Sequence, residues 1–284
     1  MSPEKLAELA AAIMIVSLTF GAGLQANREH LIAILKDAGL LGRALLANFV
    51  IVPILGVLIA KLFALTPEIA TGFLLMAIAP AGVFVVTNVR KRGGSLGLAV
   101  ALALFLPLLS IVTVPLTAQL VLPSAKLGRL PLGHFFVTML LFYLLPVVLG
   151  IVVAERAPAA APRLGRIFRI IFLLSLLALL GSLAPRLPHD VASVYGSRGM
   201  WAMLCLVLLS MSTGWLLGGP ARETRRTLGI GTTLRHIGLA ALIATTSFAD
   251  TLVPATVLTY LLIQLIVVTI VGIYFTRTAE AAPA

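Results

Sequence analysis

From Leu6 to Phe275 the chain is a succession of apolar runs of roughly twenty residues, parted by short segments where arginine, lysine, proline and glycine collect. A helix needs about 20 apolar residues to cross the hydrocarbon layer of a bilayer. Backbone groups left unpaired in lipid cost several kcal/mol each, so only helices and closed barrels span it. Runs of this length predict helices. With 60% hydrophobic residues among 284, a soluble core could not hide the apolar surface. Nine segments can be drawn, at about 6–25, 38–64, 68–88, 95–122, 133–154, 167–185, 198–218, 222–248 and 251–276. The expectation is an all-α polytopic protein: one membrane domain over 1–277 and a disordered tail over 278–284. The first run starts among Glu4, Lys5 and Glu8 without a basic leader, so it reads as a span.

The formal charge of +11 would suit a nucleic-acid partner if it were clustered. Instead it is spread over the loops. Thirteen Lys and Arg fall on one side of the predicted bundle and six on the side holding the N-terminus. Basic loops stay in the cytoplasm, which predicts an inner-membrane protein with its N-terminus outside and its C-terminus cytoplasmic. The lipid bilayer, and no nucleic acid, is the implied macroscopic partner. Oligomeric state is not readable. The single cysteine, Cys205, excludes an internal disulfide and a multi-cysteine metal site. An intramembrane enzyme would need paired aspartates, a Ser with a His, or a His/Glu metal cluster, and the spans hold none of these.

Two spans break their own helices. In Arg222–Asp250 the cluster Gly229, Gly231, Thr232 and Thr233 weakens the helix at mid-length, and Arg235 and His236 follow at once. A charge at mid-bilayer costs about 2.5 to 3.5 kcal/mol on the mildest scale, so Arg235 is expected to face protein or a wet cavity. In the third span Pro80, Ala81 and Gly82 interrupt a helix begun about 12 residues earlier, freeing carbonyls near mid-depth. Thr87 and Asn88 follow the break. Discontinuous helices with polar residues at the break are how secondary transporters build a midplane site, although each break also admits a plain kink. The breaks lie in spans three and eight, and an odd offset turns the second copy upside down. Asn48 in span two reads as an interhelical hydrogen-bond anchor or as a ligand. Gln264, on one side of span nine with Thr256, Thr259 and Tyr260, is expected to face another polar helix.

Several of these segments resemble the bile acid:sodium symporter family. FGAGLQ (Phe20–Gln25) is similar to its FGMGL segment, and ANFVIVPILGVLIAKLF (Ala47–Phe63) to its AQF-I-x-P helix. APAG followed by KRGG resembles the first crossover, and GTTLRHIGLAALIA (Gly231–Ala244) the second, written E-x-G-x-Q-N-x-x-LA. The resemblance implies an inverted repeat in which two discontinuous helices cross beside sodium sites. It divides the chain into a core of 38–122 and 198–277 and a panel of 1–25 and 133–185. It also implies alternating-access transport of an organic anion, bile-acid-like or smaller.

The departures from the pattern concern the cation ligands. Val85 and Val86 stand at the spacing of the family's Ser-Asn pair, and Leu98 and Leu102 where hydroxyl ligands are expected. Gly231 replaces the family's Glu, Arg235 its Gln and His236 its Asn; Asn48 keeps its amide. Sodium beside a fixed guanidinium would be repelled by a few kcal/mol at an effective dielectric near 20. One Glu with two sodium ions sums to +1, and so does Gly231 with Arg235 and no sodium. The expectation is therefore a guanidinium standing in for the ions, its donors taken up by crossover carbonyls, Asn48, Thr87 or Asn88. No cofactor is implied, and sodium is disfavoured. The candidate site comprises Asn48, Pro80, Gly82, Thr87, Asn88, Gly231, Thr232, Thr233, Arg235, His236 and Gln264, with no metal. A sodium-dependent symporter and an anion channel are the alternative readings.

Overall fold

A computed structural model describes residues 3–25, 37–82, 84–90, 92–122, 136–138, 140–183, 192–195 and 198–280. The polar loop at 123–133 between the fourth and fifth apolar segments lies outside the described residues, as do His134 and His189. The protein is all-α. Among the described residues seven helices are long and apolar enough to cross a membrane: α1 (Pro3–Leu24), α2 (Ala38–Leu62), α5 (Leu96–Val121), α6 (Phe136–Arg156), α7 (Ala161–Leu183), α8 (Gly199–Leu217) and α11 (Val253–Glu280). The two interrupted segments form helix pairs, α3 (Pro67–Ile78) with α4 (Phe84–Arg90), and α9 (Arg222–Thr233) with α10 (Ile237–Ser247). Helix α11 runs to Glu280, past the expected boundary at 277.

Helix starts follow local chemistry. Asp37 accepts the Leu40 N–H at 2.9 Å at the head of α2, and Ser95 accepts that of Leu98 at 3.3 Å at the head of α5. Helix α3 begins with Pro67, which fits a first turn because its missing N–H would have no partner there.

Helix α1 packs along α6 and α7, and it reaches across to α10. The small residues of FGAGL permit this. A Cβ on Gly150 of α6 would stand 2.9 Å from the Gly23 Cα of α1. The remaining helices form the other packing group, in which α8 contacts α2, α9 and α11 while α3 lies against α2 and α11. The interrupted pairs run in opposite senses. At one end Glu68, opening α3, accepts the Leu252 N–H at 3.1 Å from the turn after α10. At the other end Thr227 of α9 accepts the Ser95 N–H at 2.7 Å from the turn after α4.

Candidate functional site

The two breaks meet. Among the described residues the one isolated β-bridge joins Ala81 to Arg235, antiparallel. The His236 N–H donates to the Pro80 oxygen at 2.9 Å and the Gly82 N–H to the Leu234 oxygen at 3.1 Å. Gly82 is needed for this approach: a Cβ there would come within 3.2 Å of the His236 Cα.

Arg235 fills the crossing and is fully buried (0% exposed). All five guanidinium N–H groups are engaged. Nε donates to Met76 O at 3.1 Å, and Nη1 to Asn48 Oδ1 at 3.1 Å and Thr232 O at 3.2 Å. Nη2 donates to Asn48 O at 3.4 Å and to Ala77 O. No carboxylate pairs with it among the described residues. The negative ends of two half-helices, α3 and α9, converge there instead, and helix C-termini favour a cation.

Each main-chain acceptor is a carbonyl that the chain cannot otherwise satisfy. The helical partner of Met76 O would be the N–H of residue 80, which is proline. That of Ala77 O would be the Ala81 N–H, which goes to Asn48 Oδ1 at 3.2 Å. That of Thr232 O would be the His236 N–H, already spent on Pro80. Asn48 lies in a π-helical turn, Ala47–Ile51, in which the Val52 N–H turns to Ala47 O. A π-type bond to Asn48 O would then come from residue 53, another proline, so that oxygen too is left for the guanidinium. Unsatisfied, such groups would cost about 1 to 3 kcal/mol apiece.

The other expected site residues are placed differently from one another. Thr232 and Thr233 bond their own helix, to Leu228 O at 2.7 Å and Gly229 O at 2.8 Å, and contribute through the backbone. Gln264 reaches the crossing from α11, where its Oε1 accepts the Arg235 N–H at 3.1 Å. His236 caps α10 by accepting the Leu239 N–H on Nδ1 at 3.1 Å. Thr87 and Asn88, by contrast, donate to Phe84 O at 3.1 and 2.8 Å and do not bond the guanidinium. Gly231 faces apolar groups: a Cβ there would meet Leu102 Cδ1 at 3.4 Å and Val85 Cγ1 at 3.6 Å.

Two features escaped the sequence reading. Tyr143, in the apolar middle of α6, also lies in a π turn, Leu140–Leu144. Its ring stands edge-on to His236 with centroids 5.3 Å apart. Among the described residues neither Tyr143 Oη nor His236 Nε2 has a hydrogen-bond partner. A lone polar aromatic within a span was the available signal. The second feature is a cavity of about 960 Å³ between α1, α4, the end of α6 and α7. Phe84, Phe168, Phe172 and Thr87 line it together with Arg166 and Arg169, which the sequence offered only as loop charges. No group of three His, Cys, Asp or Glu that could hold a metal occurs among the described residues.

Residues 12–185 match the model of the Sodium Bile acid symporter family, more than half of the chain. The match covers the first break and ends before the second. No curated protein matches the chain.

Proposed function

Because the chain belongs to the sodium bile acid symporter family, a family of membrane transporters of bile acids and other organic anions, we propose that it carries an organic anion by alternating access without sodium coupling. The observation that carries this reading is the complete enclosure of Arg235 by the carbonyls of both breaks. In discontinuous-helix transporters such carbonyls and half-helix C-termini hold the coupling cation. Here a covalent cation takes them. Val85, Leu102 and Gly231, which the resemblance aligns with oxygen ligands, form an apolar contact with no oxygen to offer sodium from their side chains.

A fixed +1 at the crossing keeps the field that attracts an anion and removes the dependence on an ion gradient. The cavity beside α4 suits a carboxylate or sulfonate on an apolar body, with Phe84, Phe168 and Phe172 facing the body and Arg166 and Arg169, which outnumber the one carboxylate of the lining, Glu155, facing the charge. The packing of α1 with α6 and α7 supports a panel of 1–25 and 133–185 moving against a core of 38–122 and 198–277. The distribution of basic residues supports an inner-membrane orientation with the N-terminus outside and the C-terminus cytoplasmic.

The test is thermal unfolding of purified protein across an organic-anion library, with sodium or choline as the cation, followed by counterflow in proteoliposomes. Stabilisation by an anion that is equal in the two salts, with saturable counterflow, is the expected result. Uptake that rises steeply with an inward sodium gradient overturns the uncoupled reading. Linear, non-saturating flux overturns the carrier.

A further inference from the structure

Away from the crossing, at the end of the bundle where α8 stops and α9 starts, a second cavity of about 670 Å³ lies between α8, α9 and α11. Arg222 and Arg226 line it with Trp215, Tyr274, Phe275 and Thr278. Arg226 is an unusual wall for a surface groove, being only 7% exposed. Nη1 donates to Arg92 O at 3.3 Å, Nη2 to Thr278 Oγ1 at 2.9 Å, and the guanidinium stands 5.4 Å from the centre of the Phe275 ring. Its Nε is buried without a partner. Arg92, on the turn after α4, lies over Gly272 of the neighbouring α11 and likewise buries Nη1 without a partner. Burial lowers the Arg92 pKa from the usual arginine value. Around these cations there is no carboxylate ion pair among the described residues.

We propose that this groove binds the headgroup of an anionic phospholipid, the phosphate on Arg222 and Arg226. The occupant is a lipid rather than a free phosphate because of what surrounds the cations. Leu216 and Tyr274, on the walls, are 77% and 64% exposed, and Ile270 and Ile273 continue the exposed apolar surface of α11 toward the membrane interior. Trp215 stacks on Phe275 at 5.4 Å, giving an aromatic ledge of the kind found at the headgroup level. Basic pockets between helix ends take anionic headgroups for the same electrostatic reason. Occupancy would brace the crossing from outside, since Arg226 ties α9 to both α11 and the turn after α4. A lipid seated there holds the outer ends of both interrupted helices.

The experiment is thermal unfolding of delipidated protein in detergent with added phosphatidylglycerol, phosphatidylcholine or glycerol 3-phosphate. Phosphatidylglycerol is expected to stabilise and phosphatidylcholine not. Arg222→Gln, an exposed position that leaves the fold intact, is expected to weaken the phosphatidylglycerol response about fivefold. Arg226→Gln is expected to abolish it. Equal stabilisation by the two lipids, or an undiminished response in Arg222→Gln, overturns the site. Stabilisation by glycerol 3-phosphate equal to that by the lipid overturns the choice of lipid over free phosphate. Arg163→Gln, on a different helix, should leave the response unchanged; an equal loss there would reduce the effect to general surface charge.

Discussion

The side-chain oxygen of Asn48 accepts from Arg235 Nη1 at 3.1 Å and from the Ala81 N–H at 3.2 Å, so one amide joins the second span, the first break and the second break. Its Nδ2 is anchored on Ala44 O at 3.0 Å, which fixes which end of the amide faces the guanidinium.

Replacing Asn48 with Leu orphans the Ala81 N–H and one donor of Arg235. A loss of about 3 kcal/mol is expected, read as a fall in the unfolding midpoint in detergent. Asn48→Asp keeps the acceptor and neutralises the guanidinium. That variant should fold yet lose anion-dependent stabilisation by at least about tenfold in apparent affinity, since the net +1 is gone.

Arg235→Lys supplies three donors where five are used, and it lacks the planar fork that reaches two helix ends at once. It is expected to cost about 3 kcal/mol and to abolish counterflow. The double variant Arg235→Gln with Gly231→Glu restores the family residues at two positions. It should still show no sodium-dependent stabilisation, because Val85 and Leu102 keep the wall apolar. A sodium response from that variant would show that the apolar wall does not by itself exclude the ion and would leave Arg235 as the group that does.

Pro53→Ala returns an N–H that competes for Asn48 O and lets the π turn relax to an α turn. The expected result is a protein less stable by about 1 kcal/mol, against the gain that removing a proline from the interior of a helix usually brings. Equal or higher stability would show that the π turn holds without it.

Gly150→Leu would drive a side chain into the backbone of α1 at Gly23. It is expected to cost more than about 3 kcal/mol or to prevent expression in folded form. Gly21→Ala, two residues earlier on α1, adds a Cβ that meets nothing within 4 Å and serves as the control for stability.

His236→Asn preserves an N-cap acceptor for the Leu239 N–H and should change stability by less than about 1 kcal/mol, whereas His236→Leu should cost about 1 to 2 kcal/mol. Uncoupled anion transport also requires that His236→Asn leave the transport profile between about pH 5 and 8 unchanged. A profile flattened by that substitution would assign the histidine a proton-carrying role.

Much of the site's covalent logic was legible beforehand. Pro80 cannot cap Met76 O, and glycine with threonine before Arg235 marks a failing helix, whatever the partners are. The position of Asn48 five residues before Pro53 carried the same message about a free carbonyl, but only the π turn made it readable. Thr87 and Asn88 were grouped with the site because they follow the first break closely along the chain. Their side chains turn back to Phe84 O because a hydroxyl or amide in a span finds its own helix within one turn.

Composition and the length of the apolar runs determined that this chain lives in a bilayer as helices, since about twenty apolar residues in a row suit a spanning helix and not the alternating strands of a closed barrel. They also determined where two of those helices fail, because proline and glycine act through covalent geometry alone. Which free carbonyl meets which donor is a property of the crossing. Met76, Ala77, Thr232 and Asn48 come from three separate segments, and only tertiary packing brings their oxygens within about 3 Å of one guanidinium.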